Sequence, residues 1–356
     1  MKRTPSGEKL SRSGEVAVME KMSLGEHLGM YKKFFFEKGQ KFPAEPLSQE
    51  KTDLQQLLAS NSGSLKAAWL GHSSLLINID GFVIVTDPLF ERKVSPVGPT
   101  RFNGEFPVDI ADIPFVNAVI ISHNHYDHLN KYSIRKLKDK TNVFIVPLRV
   151  GQTLIKWGVA EDKIVELDWW GETHPHSGLT IAATPSQHFS GRGLFDRNKT
   201  MWASWVIATE NHKLFFSGDS GYFDGFREIG EKYGPFDIAF MECGAYNERW
   251  PDVHMFPEQT VQAFTDLDAR ILQPIHWATF NLSLHAWYEP IERLIDEAWN
   301  REITVSVPMI GQLVDYNKEL EDDKWWVSAM ELSMQEDRQP NVAVQYSVED
   351  RFMKQE

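Results

Sequence analysis

Short apolar runs rich in Val, Ile and Phe recur along most of this chain, each closed by polar, Gly or Pro residues. They fall at 67–70, 75–79, 82–86, 118–121, 143–146, 179–183, 205–208, 213–216, 238–241, 271–275 and 304–307. Runs of that length bounded by turn residues read as strands. Helical patterns at 151–158, 224–233, 257–267 and 290–300 fall between some of them, and the last two open on Pro257 and Pro290, which suits a first helical turn. Strands that neighbour one another early and alternate with helices later predict an α/β sandwich with sheets inside and helices outside. The apolar fraction of 42 % supplies a core without disulfides, and the single cysteine, Cys243, excludes an intrachain one.

The segment Ser122-His123-Asn124-His125-Tyr126-Asp127-His128 follows the run 118–121 directly, which places it at the C-terminal end of a buried strand. Three imidazoles and a carboxylate this close together are hard to explain by packing, because His and Asp are seldom buried unpaired. A solvated His-rich loop is the bland account. Against it, ligand-capable residues recur just past later strands: His188 after 179–183, Asp219 after 213–216 and His276 after 271–275. Each alone is an ordinary turn residue. Together they gather at one sheet edge, where loops carry function on a rigid scaffold. Nitrogen and oxygen donors without a thiolate suit zinc, with manganese or iron as alternatives.

The order His-x-His-x-Asp-His, then His, Asp and His, resembles that of the metallo-β-lactamase superfamily. The segments Trp69-Leu70-Gly71-His72-Ser73-Ser74, Thr86-Asp87-Pro88-Leu89-Phe90, Ser217-Gly218-Asp219-Ser220-Gly221-Tyr222, Gly244-Ala245-Tyr246 and His276-Trp277-Ala278-Thr279-Phe280 are similar to the N-acyl-phosphatidylethanolamine phospholipase D group and its bacterial relatives. The resemblance covers roughly residues 65–315. It implies an α/β fold built as a four-layered αββα sandwich, and two divalent metal ions, one held by His123, His125 and His188 and the other by Asp127, His128 and His276, with Asp219 bridging. It also implies that a metal-activated water attacks a phosphodiester of a phospholipid-like substrate, with Asp127 and Asp219 as catalytic carboxylates. Metals about 3.5–4 Å apart can clamp the attacking and leaving oxygens of such a bond. His72 and Asp87, beside early strands, are candidates to support the ligands from behind. Tyr222, Tyr246, Trp277 and His285 are candidates for the substrate cleft.

Other readings stay open at this level. A lactonase or a hydrolase of smaller phosphoesters would use the same ligands, and a non-enzymatic metal-binding sensor is a third option. Apolar residues at the cleft mouth would favour a lipid, whereas Arg or Lys in a tight pocket would favour a phosphorylated lactone. Gly218-Asp219-Ser220-Gly221 looks like a serine-protease nucleophile loop but lacks the second following Gly. His174-Pro175-His176 is a second His-x-His, read as a loop turn because Pro interrupts it and no Asp-His follows. The net charge of −13 argues against nucleic acid as partner. No signal-peptide core follows the basic start, and no apolar run approaches the ~20 residues of a membrane span. The expectation is a soluble, cytoplasmic protein that can still touch a membrane surface. Residues 1–60, with a Pro break at 42–46, read as a partly helical extension, 61–320 as the catalytic domain, and 321–356 as a polar tail packed loosely on it or ending in a short helix.

Overall fold

In β5 (Thr141–Pro147), Val143 and Ile145 join one apolar cluster while Phe144 and Val146 join another. Neighbouring β4 (Val116–Ile120) repeats the alternation, with Ala118 and Ile120 on one side and Val119 on the other. Side chains along a strand alternate faces, so a strand apolar at every position must be covered on both. That requirement produces the layers. The computed structural model describes residues 40–338 except 60–62, 97, 194 and 322.

The first sheet has the order β13 (Leu313–Asp315), β1 (Leu65–Gly71), β2 (Ser74–Ile79), β3 (Phe82–Thr86), β4, β5 and β6 (Ile164–Leu167). The second has β12 (Ala269–Ile275), β11 (Phe236–Glu242), β10 (Lys213–Phe216), β9 (Ser204–Ala208), β8 (Leu179–Thr184) and β7 (Glu172–His176). The larger apolar cluster fills the space between the sheets, joining Trp69, Ile77 and Ile145 of the first to Ile181, Trp205 and Phe215 of the second. Helices α1 (Leu54–Leu58), α2 (Lys131–Leu137) and α3 (Gly151–Lys156) cover the outer face of the first sheet with Leu57, Ile134 and Leu154. Helices α4 (Gly225–Tyr233), α5 (Pro257–Asp266) and α6 (Glu289–Asn300) cover the second with Phe226, Val261 and Leu294. The expected αββα sandwich is present.

Every expected strand overlaps an observed one except 304–307, which makes a single parallel bridge, Leu272↔Val305, beside β12. The second His-x-His is not a loop turn. It lies in β7, an edge strand whose register shifts between Thr173 and His176. An edge position tolerates the missing N–H of Pro175. Beyond residue 320, α7 (Val327–Arg338) follows two tryptophans that pack on the domain, and Trp325 lies 5.6 Å from Trp277 between ring centroids. Trp326 is buried against Trp277, with ring centroids 5.9 Å apart, and its indole N–H donates to Glu292. Of the helices expected in 1–60, only α1 falls among the described residues; the segment before residue 40 lies outside them.

Candidate metal centre

Three strand ends converge with backbone that L-residues rarely adopt: His72 (φ 54°) after β1, Asp87 (φ 35°) after β3 and His276 (φ 67°) after β12. Such conformations cost about 1–3 kcal/mol each and persist where surrounding contacts enforce them. Here the two sheets meet: the His276 N–H donates to the His72 carbonyl at 2.9 Å, and the His72 N–H donates to Thr279 Oγ1 at 2.7 Å. Gly218 (φ +55°) lets the β10 end approach the β4 end, because a Cβ there would lie 2.5 Å from Ser122 Cβ. Gly244 does the same for the loop after β11, where a Cβ would lie 2.1 Å from the His276 carbonyl oxygen.

The loop after β4 is braced from beneath. Buried Asp87 accepts from the Ser122 N–H at 2.7 Å and from Ser122 Oγ at 2.5 Å, and its Oδ2 meets His128 Nδ1 at 2.7 Å. His123 Nδ1 meets Ser122 Oγ at 2.9 Å, and His188 Nδ1 meets the Val253 carbonyl at 2.9 Å. The opposite nitrogens of these rings therefore face inward.

Two sets of inward donors result, each with its ligand atoms within 4.8 Å of one another: His123, His125, His188 and Asp219, and His72, Asp127, His128 and His276. Asp219 lies between them. Its Oδ2 is 3.1 Å from His128 Nε2 and 3.7 Å from both His123 Nε2 and His188 Nε2, while Oδ1 is 3.2 Å from His276 Nε2. The structure thus brings together all seven residues expected to be ligands. Asp87 stands behind His128 as expected. His72 is closer in than a supporting role implies: its Nε2 is 3.0 Å from Asp127 Oδ2, inside the second donor set.

The donors fit cations. His123 Nε2 and His188 Nε2 point at His125 Nδ1 from 2.8 and 3.3 Å, a convergence of lone pairs that a cation satisfies better than a proton. His128 Nε2, Asp219 Oδ1 and His276 Nε2 are buried and make no hydrogen bond. Without metals two of the histidines gather protons. Burial opposes it, but Asp219 and Asp127 raise His276 to about 10 and, with Asp87, hold His128 well above the usual imidazole range. Burial also works against ionised Asp127 and Asp219, yet the neighbouring histidines hold both well below the usual carboxylate range.

Above the donors opens a cleft of about 280 Å³, walled by Phe189, Ala245, Trp250, Val253, His254 and Leu282. None of the four expected cleft residues lines it. Trp277 points into the core and stacks on Trp69 at 5.7 Å, Tyr222 bonds Asp266, and Tyr246 bonds Glu289. His285 is half-buried and stacked on Tyr246, with ring centroids 4.4 Å apart. A residue next to a ligand at a strand end tends to face the opposite way, so nearness in sequence misplaced them.

Residues 83–277 match the beta-lactamase superfamily domain. The chain belongs to the metallo-β-lactamase superfamily. It is a metal-dependent hydrolase of that superfamily. It is 43 % identical over 291 residues to an uncharacterized protein of Mycobacterium tuberculosis H37Rv, covering 80 % of this chain and 77 % of that one. It is 35 % identical over 254 residues to the N-acyl-phosphatidylethanolamine-hydrolyzing phospholipase D 1 of Caenorhabditis elegans, covering 66 % of this chain and 70 % of that one. The structure of Igni18, a metallo hydrolase from Ignicoccus hospitalis, shares the fold with TM-score 0.53 and 21 % identity, covering 72 % of this chain and all of that one.

Three further residues at the site carry no local signal in the sequence. His254 lies within ligand distance of Asp219 and His276, and its Nδ1 is 3.4 Å from Glu242 Oε2. Glu242 is wholly buried at the end of β11, where burial raises its carboxyl pKa. Arg192 Nη1 donates to the carbonyls of Asn124, His125 and Leu129 at 2.9, 3.2 and 2.7 Å, pinning the metal loop from outside, and its guanidinium lies 3.9 Å over the Tyr126 ring. A lone His after a Pro-Asp turn or an Arg in a Gly-rich loop looks like surface until tertiary structure places it.

Proposed function

We propose that this chain hydrolyses a phosphodiester bond of a phospholipid-like substrate at two divalent metal ions, zinc by the chemistry of its donors. His123, His125 and His188 would hold one ion and Asp127, His128 and His276 the other, with Asp219 reaching both. Ions bound there would act as Lewis acids on a phosphoryl oxygen and bring the pKa of a water toward neutrality. Asp127, kept ionised by its neighbours and held by His72 Nε2, can accept a hydrogen bond from the attacking water and orient it. His254, with Nδ1 3.4 Å from Glu242 Oε2 and a ring nitrogen within 4.8 Å of the donor atoms of Asp219 and His276, lines the cleft beside the proposed ions, where it can hydrogen-bond a phosphoryl or leaving oxygen.

The observation that carries the lipid reading is the wall of the cleft. Phe189, Ala245, Trp250, Val253 and Leu282 line it, and among the described residues no Lys or Arg does. That wall suits an apolar substituent beside the phosphodiester better than a compact phosphorylated lactone. The phospholipase D relative in Caenorhabditis elegans supports the same substrate class. Phe195, 86 % exposed on the segment leaving the cleft at Phe189, supports contact with a lipid surface. The test is a substrate panel for the metal-loaded protein: phospholipid vesicles, a water-soluble phosphodiester and lactones. Release of a head group with formation of phosphatidic acid, abolished by chelation and restored by metal, is expected. Turnover of lactones alone would overturn the proposal.

A further inference from the structure

His276 differs from the other fully buried histidines proposed as ligands. A histidine that binds a metal through one nitrogen needs a partner for the N–H on the other, which fixes its tautomer and ring orientation. His123, His128 and His188 have such partners in Ser122 Oγ, Asp87 Oδ2 and the Val253 carbonyl. His276 turns Nε2 toward Asp127 and Asp219, and its Nδ1 is buried with no hydrogen-bond partner among the described residues.

His276 also borders a second, smaller cavity of about 20 Å³. Two more residues on that cavity carry buried nitrogens without a partner: Asn281 Nδ2 and His285 Nε2. Their chemistry is complementary. His285 Nδ1 lies 2.9 Å from the Ala286 carbonyl, which only accepts, so Nδ1 carries the proton and Nε2 of the neutral ring offers a lone pair. Asn281 Nδ2 and the His276 Nδ1–H both donate. Space of this size takes roughly one water, which needs two to four polar partners. Lys41 also borders the cavity, and most of the remaining wall is apolar, including Phe102, Trp277 and Trp287.

We propose that one ordered water occupies this cavity, accepting from His276 Nδ1 and Asn281 Nδ2 and donating to His285 Nε2. Asn281 and His285 are then positioning residues that hold the His276 ring, through the water, with its Nε2 lone pair toward the metal centre. The consequence for metal binding rests on His276 being a ligand, as proposed above; the water itself does not.

A high-resolution crystal structure of the full chain, with metals and after chelation, is the first test. It should show a density peak within hydrogen-bond reach of all three nitrogens. A cavity without a peak, or a peak out of reach of His276 Nδ1, would overturn the proposal. The second test is His285→Phe, which keeps a ring against Tyr246 but removes the acceptor, and Asn281→Leu, which fills the space. Chelator competition should show one of two zinc ions bound ~10- to 100-fold more weakly, with the other unchanged, and His285→Gln should recover part of the loss. Folded variants that bind both ions like the wild type would overturn the positioning role. A wild type that binds no zinc would instead overturn the metal-centre reading, and the density in the crystal would still decide the water. Should the variants fail to fold, the wild-type crystal decides alone.

Discussion

Asp219→Asn isolates the one group on which both halves of the proposed centre depend. The carboxylate is 4 % exposed and lies 3.1–3.7 Å from the inward nitrogens of His123, His128, His188 and His276. The substitution keeps shape and removes one negative charge. A pair of unit charges at 4 Å is worth about 4 kcal/mol at an effective dielectric constant near 20, and breaking a buried pair costs about 3–5 kcal/mol in practice. Taking roughly 3 kcal/mol for each ion, affinity at both positions should fall by about two orders of magnitude. His276→Ala, by contrast, should chiefly weaken one ion. Chelator-competition titrations of zinc, with circular dichroism to show that the variants are folded, give both numbers. A folded Asp219→Asn protein that keeps two ions at wild-type affinity would refute the reasoning, because a neutral amide cannot replace a shared anion.

Arg192→Met should loosen the loop that carries His123 to His128 by removing three hydrogen bonds to its carbonyls. Bonds from a charged donor contribute roughly 1.5–3 kcal/mol, so zinc affinity should drop about tenfold or more; unchanged metal retention would count against the bracing role. Trp326→Ala should destabilise the fold by about 3–5 kcal/mol, read as a lower urea midpoint with unchanged slope, and a loss under about 1 kcal/mol would mean Trp326 does not pack as described. Metal binding should release protons at pH 7, because His276, raised to about 10, and His128 are protonated in the metal-free cluster and must lose those protons to coordinate. Apparent affinity therefore rises with pH toward about 10 and falls in acid, whereas His125, lowered to about 4 by burial, is already neutral and contributes no proton. Calorimetric titrations in two buffers of different ionisation enthalpy measure this release, and equal heats in both would contradict it.

The layers and the gathered donors were legible in the sequence because both follow from local rules. A strand apolar on both faces must be buried on both, and a polar residue just past its end must sit on the rim. Spacing within 122–128 did the rest, since only a loop can turn His123 and His125 one way and Asp127 and His128 another. The cleft wall followed no such rule. Trp277 and Tyr246 lie beside functional segments but point into the core, while Phe189, Trp250 and Leu282 reach the cleft because loops from separate strands happen to meet there. Glu242 reads as the last residue of an apolar strand, and nothing local says that it will be buried beside His254. The packing of Trp325 and Trp326 ahead of α7 was equally silent, because the acidic stretch before them outweighs two tryptophans in any composition count.

The most direct measurement is anomalous X-ray scattering from a crystal of the zinc-loaded protein. Two peaks about 3.5–4 Å apart are expected, one among His123, His125 and His188 and the other among Asp127, His128 and His276, with Asp219 between them. A single peak, or peaks away from Asp219, would contradict a dinuclear centre built on these residues.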